Sequence, residues 1–295
     1  MSLFLHDVSL SYPKGPKALD RLSLRIEPGM FGLLGPNGAG KSSLMRVLAT
    51  LQQPDSGQVR FEDLDLLREP LKIRGLLGYL PQEFGVYPRI SAEKLLDYFA
   101  VLKGLSGRKE RRRRIEEVLM LTNLYTHRKA PVYRFSGGMK RRFGIAQLLL
   151  NRPRLIIVDE PTAGLDPGER SRFLHVLRAL GTQHTVLFST HIVEDIRDLC
   201  TDMAILYQGQ LALHETPTRA LTALNGKIWS GPAHLKLSLP HRILSSTFDE
   251  GHRERVRLHA DTSPGDLFQP ATPTLEDVYF LTLQLQAHVE SPVSF

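Results

Sequence analysis

No apolar run in this sequence of 295 residues approaches the ~18 residues of a membrane-crossing helix. The longest candidates, "LIIV" and "TVLF", have the length of buried strands. The amino-terminal "MSLFLHDVSL" lacks a basic stretch ahead of a long apolar core and does not read as a signal peptide. The single cysteine, Cys200, excludes an intrachain disulfide and a cysteine-built zinc module, and makes a reducing compartment the default expectation. There is no internal repeat, no low-complexity tract and no sustained heptad pattern, so solenoids and long coiled coils are excluded. These absences leave a soluble chain whose membrane role, if it has one, requires a partner.

Hydrophobic residues make up 42% of the chain, which supports a packed core, and the length suits one large α/β domain with a small appendage. The formal net charge is +7, and part of it is concentrated in "RKERRRR" at 108–114. A solvated helix face is the ordinary reading, and contact with anionic headgroups or nucleic acid is the alternative. Without interleaved aromatics or a nucleic-acid module the charge makes no case for DNA or RNA, and no nucleic-acid partner is expected.

Residues 3–28 alternate apolar and polar on either side of "PKGPK", which predicts an antiparallel pair. "MFGLLG" predicts a short buried strand, and Leu44, Val47, Leu48 and Leu51 in "KSSLMRVLATL" fall at helical spacing. "GQVRFEDLDL" reads as a further strand. From about 84 to 153 the texture is helical. Ser91 is placed to cap a helix whose apolar face is Leu95, Leu96, Tyr98, Phe99 and Leu102, and Gly104 ends it. A second helix carries the arginines and then Ile115, Val118 and Leu119; a third begins near "SGG". The near-continuous apolar runs "LIIVDE" and "TVLFSTH" predict parallel strands covered on both faces. "MAILYQGQL" predicts another strand ending in a turn. The composition changes near 215. "HLKLSLP" and a hairpin around Asp249-Glu250-Gly251 follow, then a helix opened by a capping box of Thr274 and Asp277.

"GPNGAGKS", residues 35–42, fits G-x-x-x-x-G-K-[ST] between a strand and a helix, the context that motif needs. Its glycines let backbone N–H groups curl around a phosphate, and the new helix adds its positive end. Lys41 reaches the β- and γ-phosphates, and Ser42 is a Mg²⁺ ligand. Asp159 and Glu160 end a buried strand; the first suits the Mg²⁺ shell and the second a water beside the γ-phosphate. Strand-end solvation is the competing reading of that pair, and the phosphate loop weighs against it. His191 after "TVLFST", Gln82 in "YLPQEF" and Tyr12 in "LSY" are weak signals singly. "FSGGMKRR", 135–142, opens a basic helix with a second anion-seeking start, far along the chain from Lys41.

Together, and in this order, these stretches resemble the nucleotide-binding subunit of an ABC transporter over about residues 3–214. "GPNGAGKSS" resembles the Walker A loop, "LIIVDEPTAGLD" the Walker B strand and D-loop, "FSGGMKRR" the signature motif, Pro81-Gln82 the Q-loop and "STH" at 189–191 the H-loop. The resemblance implies ATP and Mg²⁺ as cofactors. It implies that Tyr12 stacks on adenine and that Gly35, Pro36, Asn37, Gly38, Ala39, Gly40, Lys41, Ser42 and Ser43 cradle the phosphates. Ser42, Gln82 and Asp159 would hold the metal, and Glu160, His191 and Gln82 would serve hydrolysis. It further implies a head-to-tail homodimer in which Ser136, Gly137, Gly138 and the D-loop Asp166 approach ATP bound by the other copy. Met139 departs from the usual glutamine, Phe135 from leucine and Ser43 from threonine.

The expected fold is α/β of the P-loop NTPase kind, with a RecA-like core sheet. It has an N-terminal antiparallel β subdomain, an inserted helical subdomain over about 84–153 and a small α+β extension. The expected division is a cassette over 1–214 and an accessory region over 215–295. "TPTLEDVYFLTLQ" and "EFGVYPRISAEKLLDYFA" resemble cassettes serving export of drugs, antibiotics and lipids, which implies a separate integral-membrane permease and a place on the cytoplasmic face. An importer subunit is the nearest alternative. DNA-repair ABC ATPases are disfavoured by the missing coiled coil and zinc module, and translation-associated ones by the single phosphate loop.

Overall fold

The computed structural model describes residues 2–13, 15–82, 85, 89–234 and 240–290. Lys14, most of the 83–88 stretch used for the export resemblance, and 235–239 of "HLKLSLP" lie outside them.

Strands β1 (Leu3–Ser11) and β2 (Lys17–Ile26) pair antiparallel, as the alternation requires, with Leu3 opposite Ile26 and Leu5 opposite Leu24. β3 (Gly29–Leu34) enters a second sheet, and α1 (Lys41–Leu48) follows the glycine loop. β4 (Ser56–Phe61) and β5 (Leu64–Asp65) return to the first sheet. The expected single strand is thus a tight hairpin, turned at Glu62 with φ 55°. α2 (Pro70–Leu76) leads into β6 (Leu77–Leu80). The helical layer is α3 (Ala92–Leu102), α4 (Arg108–Leu121) and α5 (Gly137–Leu148). Then come β7 (Leu155–Asp159), α6 (Pro167–Gly181), β8 (Thr185–Thr190), α7 (Val193–Leu199), β9 (Asp202–Tyr207) and β10 (Gln210–Glu215). The C-terminal part holds α8 (Pro217–Thr222), β11 (Ile228–Pro232), β12 (Arg242–Phe248), β13 (Glu254–His259), β14 (Gln269–Pro270) and α9 (Leu275–Glu290).

The central sheet runs β10-β9-β3-β8-β7-β6, parallel except for the β9–β10 hairpin. Every residue of β7 and β8 is buried, which is why their sequences are apolar without alternation. Side chains of β3 divide between two cores: Phe31 and Leu33 face the antiparallel sheet, while Met30 and Leu34 face the helical layer. The order β3-β8-β7 sets the carboxyl ends of three strands side by side, and that edge is where ligands bind in open parallel sheets.

Several local expectations need correction. α1 ends before Leu51, which is exposed, because Thr50 takes φ 58°. Ser91 occupies the cap position of α3, but its hydroxyl makes no capping bond. Tyr98 and Leu102 share the apolar period of α3 yet are exposed, because none of the described elements covers that side of the helix. The arginine run behaves as a paired helix face. Arg111 binds Asp97 at 2.8 Å and the carbonyls of Leu105 and Ser106; Arg112 and Arg113 meet Glu116 and Glu117; Arg114 caps the carbonyls of Leu149 and Leu150. The capping box is present, with Thr274 and Asp277 exchanging bonds, and Arg257 closes on Asp277 at 2.6 Å.

Two histidines tie stability to pH. Half-buried His184, with Nδ1 2.7 Å from the Pro153 carbonyl, and His259 on β13 are both pushed below the usual histidine pKa, first by burial. The fold therefore favours their neutral forms. Neither group costs stability above pH ~6.5, and the unfolded chain gains protons as pH falls below it. The melting temperature should fall between pH 7 and pH 5, and His184→Gln should flatten that slope; an unchanged slope contradicts the assignment.

Candidate functional site

The loop between β3 and α1 wraps the Lys41 side chain, which is only 4% exposed. Its Nζ donates to the carbonyls of Gly35 at 2.7 Å and Pro36 at 3.2 Å. Ala39 N–H donates to the Pro36 carbonyl, and Gly209 N–H donates to the Ala39 carbonyl, so neighbouring backbone straps the loop. Gly40 is obligatory: it takes φ 101°, and a Cβ there would lie 2.3 Å from the Ala18 carbonyl. α1 starts immediately after, aiming its N-terminus into a cleft of about 690 Å³. Asn37, Gly38, Gly40, Lys41, Ser42 and Ser43 line this cleft, together with Tyr12, Gln82, Glu160 and His191. Gly35, Pro36 and Ala39 serve the loop's internal bonding instead. Tyr12 is 37% exposed at the cleft, its hydroxyl 3.3 Å from Ser43 Oγ.

Strand order assembles the acidic side. The register sets Asp159 opposite Ser189, and Ser189 Oγ donates to Asp159 Oδ1 at 2.6 Å. Ser189 Oγ in turn accepts from the Glu160 N–H at 2.9 Å. Sequence reading missed this role of Ser189; its position before Thr190-His191 was the available signal. Glu160 adopts φ 43°, an uncommon conformation for a bulky residue and of the kind that gathers at functional sites. Its carboxylate lies between two nitrogens: Lys41 Nζ is 3.3 Å from Oε1, and His191 Nδ1 is 3.3 Å from Oε2. Tyr79 beside Asp159 has its hydroxyl pushed up to about 12, by burial first and the Asp159 charge second, so it stays protonated.

Ser136, Gly137 and Gly138 are not among the cleft residues. Ser136 and Gly137 are exposed. Ser136 caps α5 by accepting from Met139 N–H at 3.1 Å, which leaves its own O–H proton to donate. As the first residues of α5, Gly137 and Gly138 have N–H groups with no carbonyl one turn back. The helix start thus presents exposed donors that do not line the cleft of its own loop. Asp166 is likewise outside the cleft; it caps α6 by accepting from Glu169 N–H at 2.9 Å.

Glu169, which sequence reading also missed, joins these two helix starts. Its carboxylate accepts from Arg142 at 3.1 Å and Arg172 at 3.0 Å, and a Cβ at Gly138 would lie 2.1 Å from Oε2 and 2.7 Å from its Cβ. Gly138→Ala should therefore displace Glu169 and cost about 1–3 kcal/mol, read as a lowered melting temperature; an unshifted value contradicts this packing. Met139 presents its backbone to the cap and packs its side chain against the core. Met139→Gln should accordingly change ATP turnover by less than about tenfold, and a hundredfold gain would contradict that. Arg141 on the same helix donates to the Gln82 carbonyl, a contact between the stretches 135–142 and 81–82 that their sequence spacing did not announce.

By type, Ser42, Gln82 and Asp159 offer a hydroxyl, an amide and a carboxylate oxygen, hard ligands that suit Mg²⁺; Ser42 and Gln82 line the cleft, whereas the buried Asp159 is not among its lining residues. Among the described residues no group of three His, Cys, Asp or Glu could hold a metal by itself. No helix among them is long and apolar enough to cross a membrane.

The ABC transporter family profile matches residues 19–163. The linearmycin resistance ATP-binding protein LnrL of Bacillus subtilis is 36% identical over 207 residues, covering 70% of this chain and 66%, just under two thirds, of that protein. The Nod factor export ATP-binding protein I of Rhizobium etli is 32% identical over 290 residues, covering 92% and 90%. Among solved structures, a dimeric ATP-binding cassette in a post-hydrolysis state, bound to ADP and phosphate, superposes with a TM-score of 0.66 at 27% identity, covering 72% of this chain and 98% of that one.

Proposed function

Because the chain belongs to the family of ABC transporter ATP-binding proteins, an ATPase family, we propose that it dimerises around two ATP molecules and drives a separate membrane permease in export. The observation that carries this reading is the separation of two anion-binding helix starts. One, after Gly40, opens into the cleft, and the other, at Gly137, is exposed and outside it. A γ-phosphate held by the first gains its remaining donors only when a second copy supplies the other.

In this reading Tyr12 stacks on the base while the N–H groups of residues 37–42 and the Lys41 ammonium hold the phosphates. Ser42, Gln82 and Asp159 would hold Mg²⁺, which would supply positive charge to neutralise the phosphate oxygens. Glu160 accepts a proton from the attacking water, and His191 donates to a γ-phosphate oxygen. Ser136 O–H and the N–H groups of Gly137 and Gly138 of the other copy complete the ring, with Asp166 near the junction. Loss of the γ-phosphate removes the bridge, and the copies part. Residues 1–214 form the cassette and 215–295 an accessory region. The permease holds the chain at the cytoplasmic face. Relatives whose names state linearmycin resistance and Nod factor export support the outward direction.

Ser136→Arg tests the reading. In a Glu160→Gln background, ATP should convert the parent from monomer to dimer in light scattering, and the added Ser136→Arg should leave it monomeric. Equal dimerisation of both would overturn it.

A further inference from the structure

Asp195 on α7 is fully buried, with 0% exposure, and belongs to none of the sequence motifs above. Burying a carboxylate costs several kcal/mol unless its oxygens are well bonded, so its partners reveal what it is kept for. They come from three segments. Thr162 Oγ1 donates to Oδ2 at 2.7 Å, Thr190 Oγ1 to the same oxygen at 3.3 Å, and Arg170 Nε to Oδ1 at 2.8 Å. Thr162 is two residues beyond Glu160, and Thr190 immediately precedes His191. Thr190 Oγ1 also accepts from Ile192 N–H at 3.0 Å, so His191 is spanned by a turn anchored on Asp195. Arg170 N–H bonds the Asp166 carbonyl, and the loop 161–166 is therefore gripped at both ends, at Thr162 and through Arg170.

We propose that Asp195 is a positioning residue for ATP hydrolysis: through Thr162 and Thr190 its carboxylate sets Glu160 and His191 against each other. Ser189 fixes the Glu160 backbone from one side, and the Asp195 grip on Thr162 fixes it from the other. Together they hold a φ of 43° that the residue would not keep unaided. The 3.3 Å approach of His191 to Glu160 depends on both anchors. Among the described residues the phosphate loop meets this group at Glu160, through Lys41 Nζ at 3.3 Å, and makes no hydrogen bond to Thr162, Thr190 or Asp195, so loss of those anchors should leave nucleotide binding largely unchanged. This rests on the roles given to Glu160 and His191.

The test uses the full chain and isosteric changes that spare Asp195 itself. Thr162→Val and Thr190→Val should each lower kcat by about tenfold or more while ATP affinity, read with a fluorescent nucleotide, stays within about threefold. Thr162→Ser and Thr190→Ser, which keep the hydroxyl, should restore kcat to within about threefold of wild type. The double valine variant should lose less than the product of the single losses, since both act through one carboxylate. Wild-type kcat in both valine variants overturns the proposal, and so does a fall in kcat matched by an equal fall in ATP affinity. Glu160→Gln is measured alongside: if it hydrolyses ATP normally, the reading of Glu160 has failed. If it is inactive while the valine variants are normal, only the Asp195 proposal has.

Discussion

Lys41→Ala should lower ATP turnover at sub-saturating nucleotide by about a hundredfold or more without unfolding the chain. The ammonium is wrapped by the glycine loop, bonded to the Gly35 and Pro36 carbonyls, and in the proposed reading it meets the nucleotide phosphates. A charge-assisted hydrogen bond there is worth about 1.5–3 kcal/mol, or roughly 10–150-fold. Phosphate charge that develops in the transition state adds to this. The fold should survive the change, because among the described residues Lys41 bonds loop carbonyls and Glu160, and Glu160 keeps His191 beside its other oxygen. Steady-state hydrolysis with a melting curve checks both halves. Wild-type turnover in a folded variant would show that this loop does not hold the nucleotide.

Glu160→Gln should lower kcat by about a hundredfold to ten-thousandfold while ATP affinity holds, the range by which a positioned general base accelerates a step. Glutamine keeps the shape between Lys41 and His191 and loses the proton acceptor. ATP then persists in the site, and the ATP-bound dimer should accumulate where the parent cycles. Single-turnover measurement separates this from a binding defect. A parallel loss of affinity would instead mean that Glu160 supports the loop and not the water.

The phosphate loop was legible because its chemistry is local: a chain that must curl its N–H groups inward needs glycine at fixed positions, and Gly40 cannot carry a side chain beside Ala18. The buried strands were legible for the same kind of reason, since β7 and β8 are covered on both faces. What could not be read was whatever depends on strand order. Ser189 matters because β8 lies beside β7, and Asp195 because loop 161–166 and the turn at His191 fold onto α7. Likewise Glu169 acquires a role only when α6 meets α5. Periodicity marked Tyr98 and Leu102 as apolar-face residues, but it carries no information on whether a partner covers that face. Of the C-terminal sheet, ordered β12-β13-β11-β14, the β12–β13 hairpin around Asp249-Glu250-Gly251 was legible, while the other two strands escaped for a local reason: β11 contains glycine and proline, and β14 has two residues.

The central claim is that each ATP is shared between the loop of one copy and the α5 start of another. It is tested most directly by mixing Lys41→Ala with Ser136→Arg, each fully defective alone. A mixed dimer contains one site built from the two damaged parts and one built from the two intact parts. ATP-dependent association should therefore appear in the mixture and in neither variant alone. A bulky neutral residue at 136 serves as control, because arginine could itself bind phosphate. If α5 served its own chain's cleft, every site would carry a defect. A mixture that stays monomeric with ATP, beside wild type that associates, contradicts the claim.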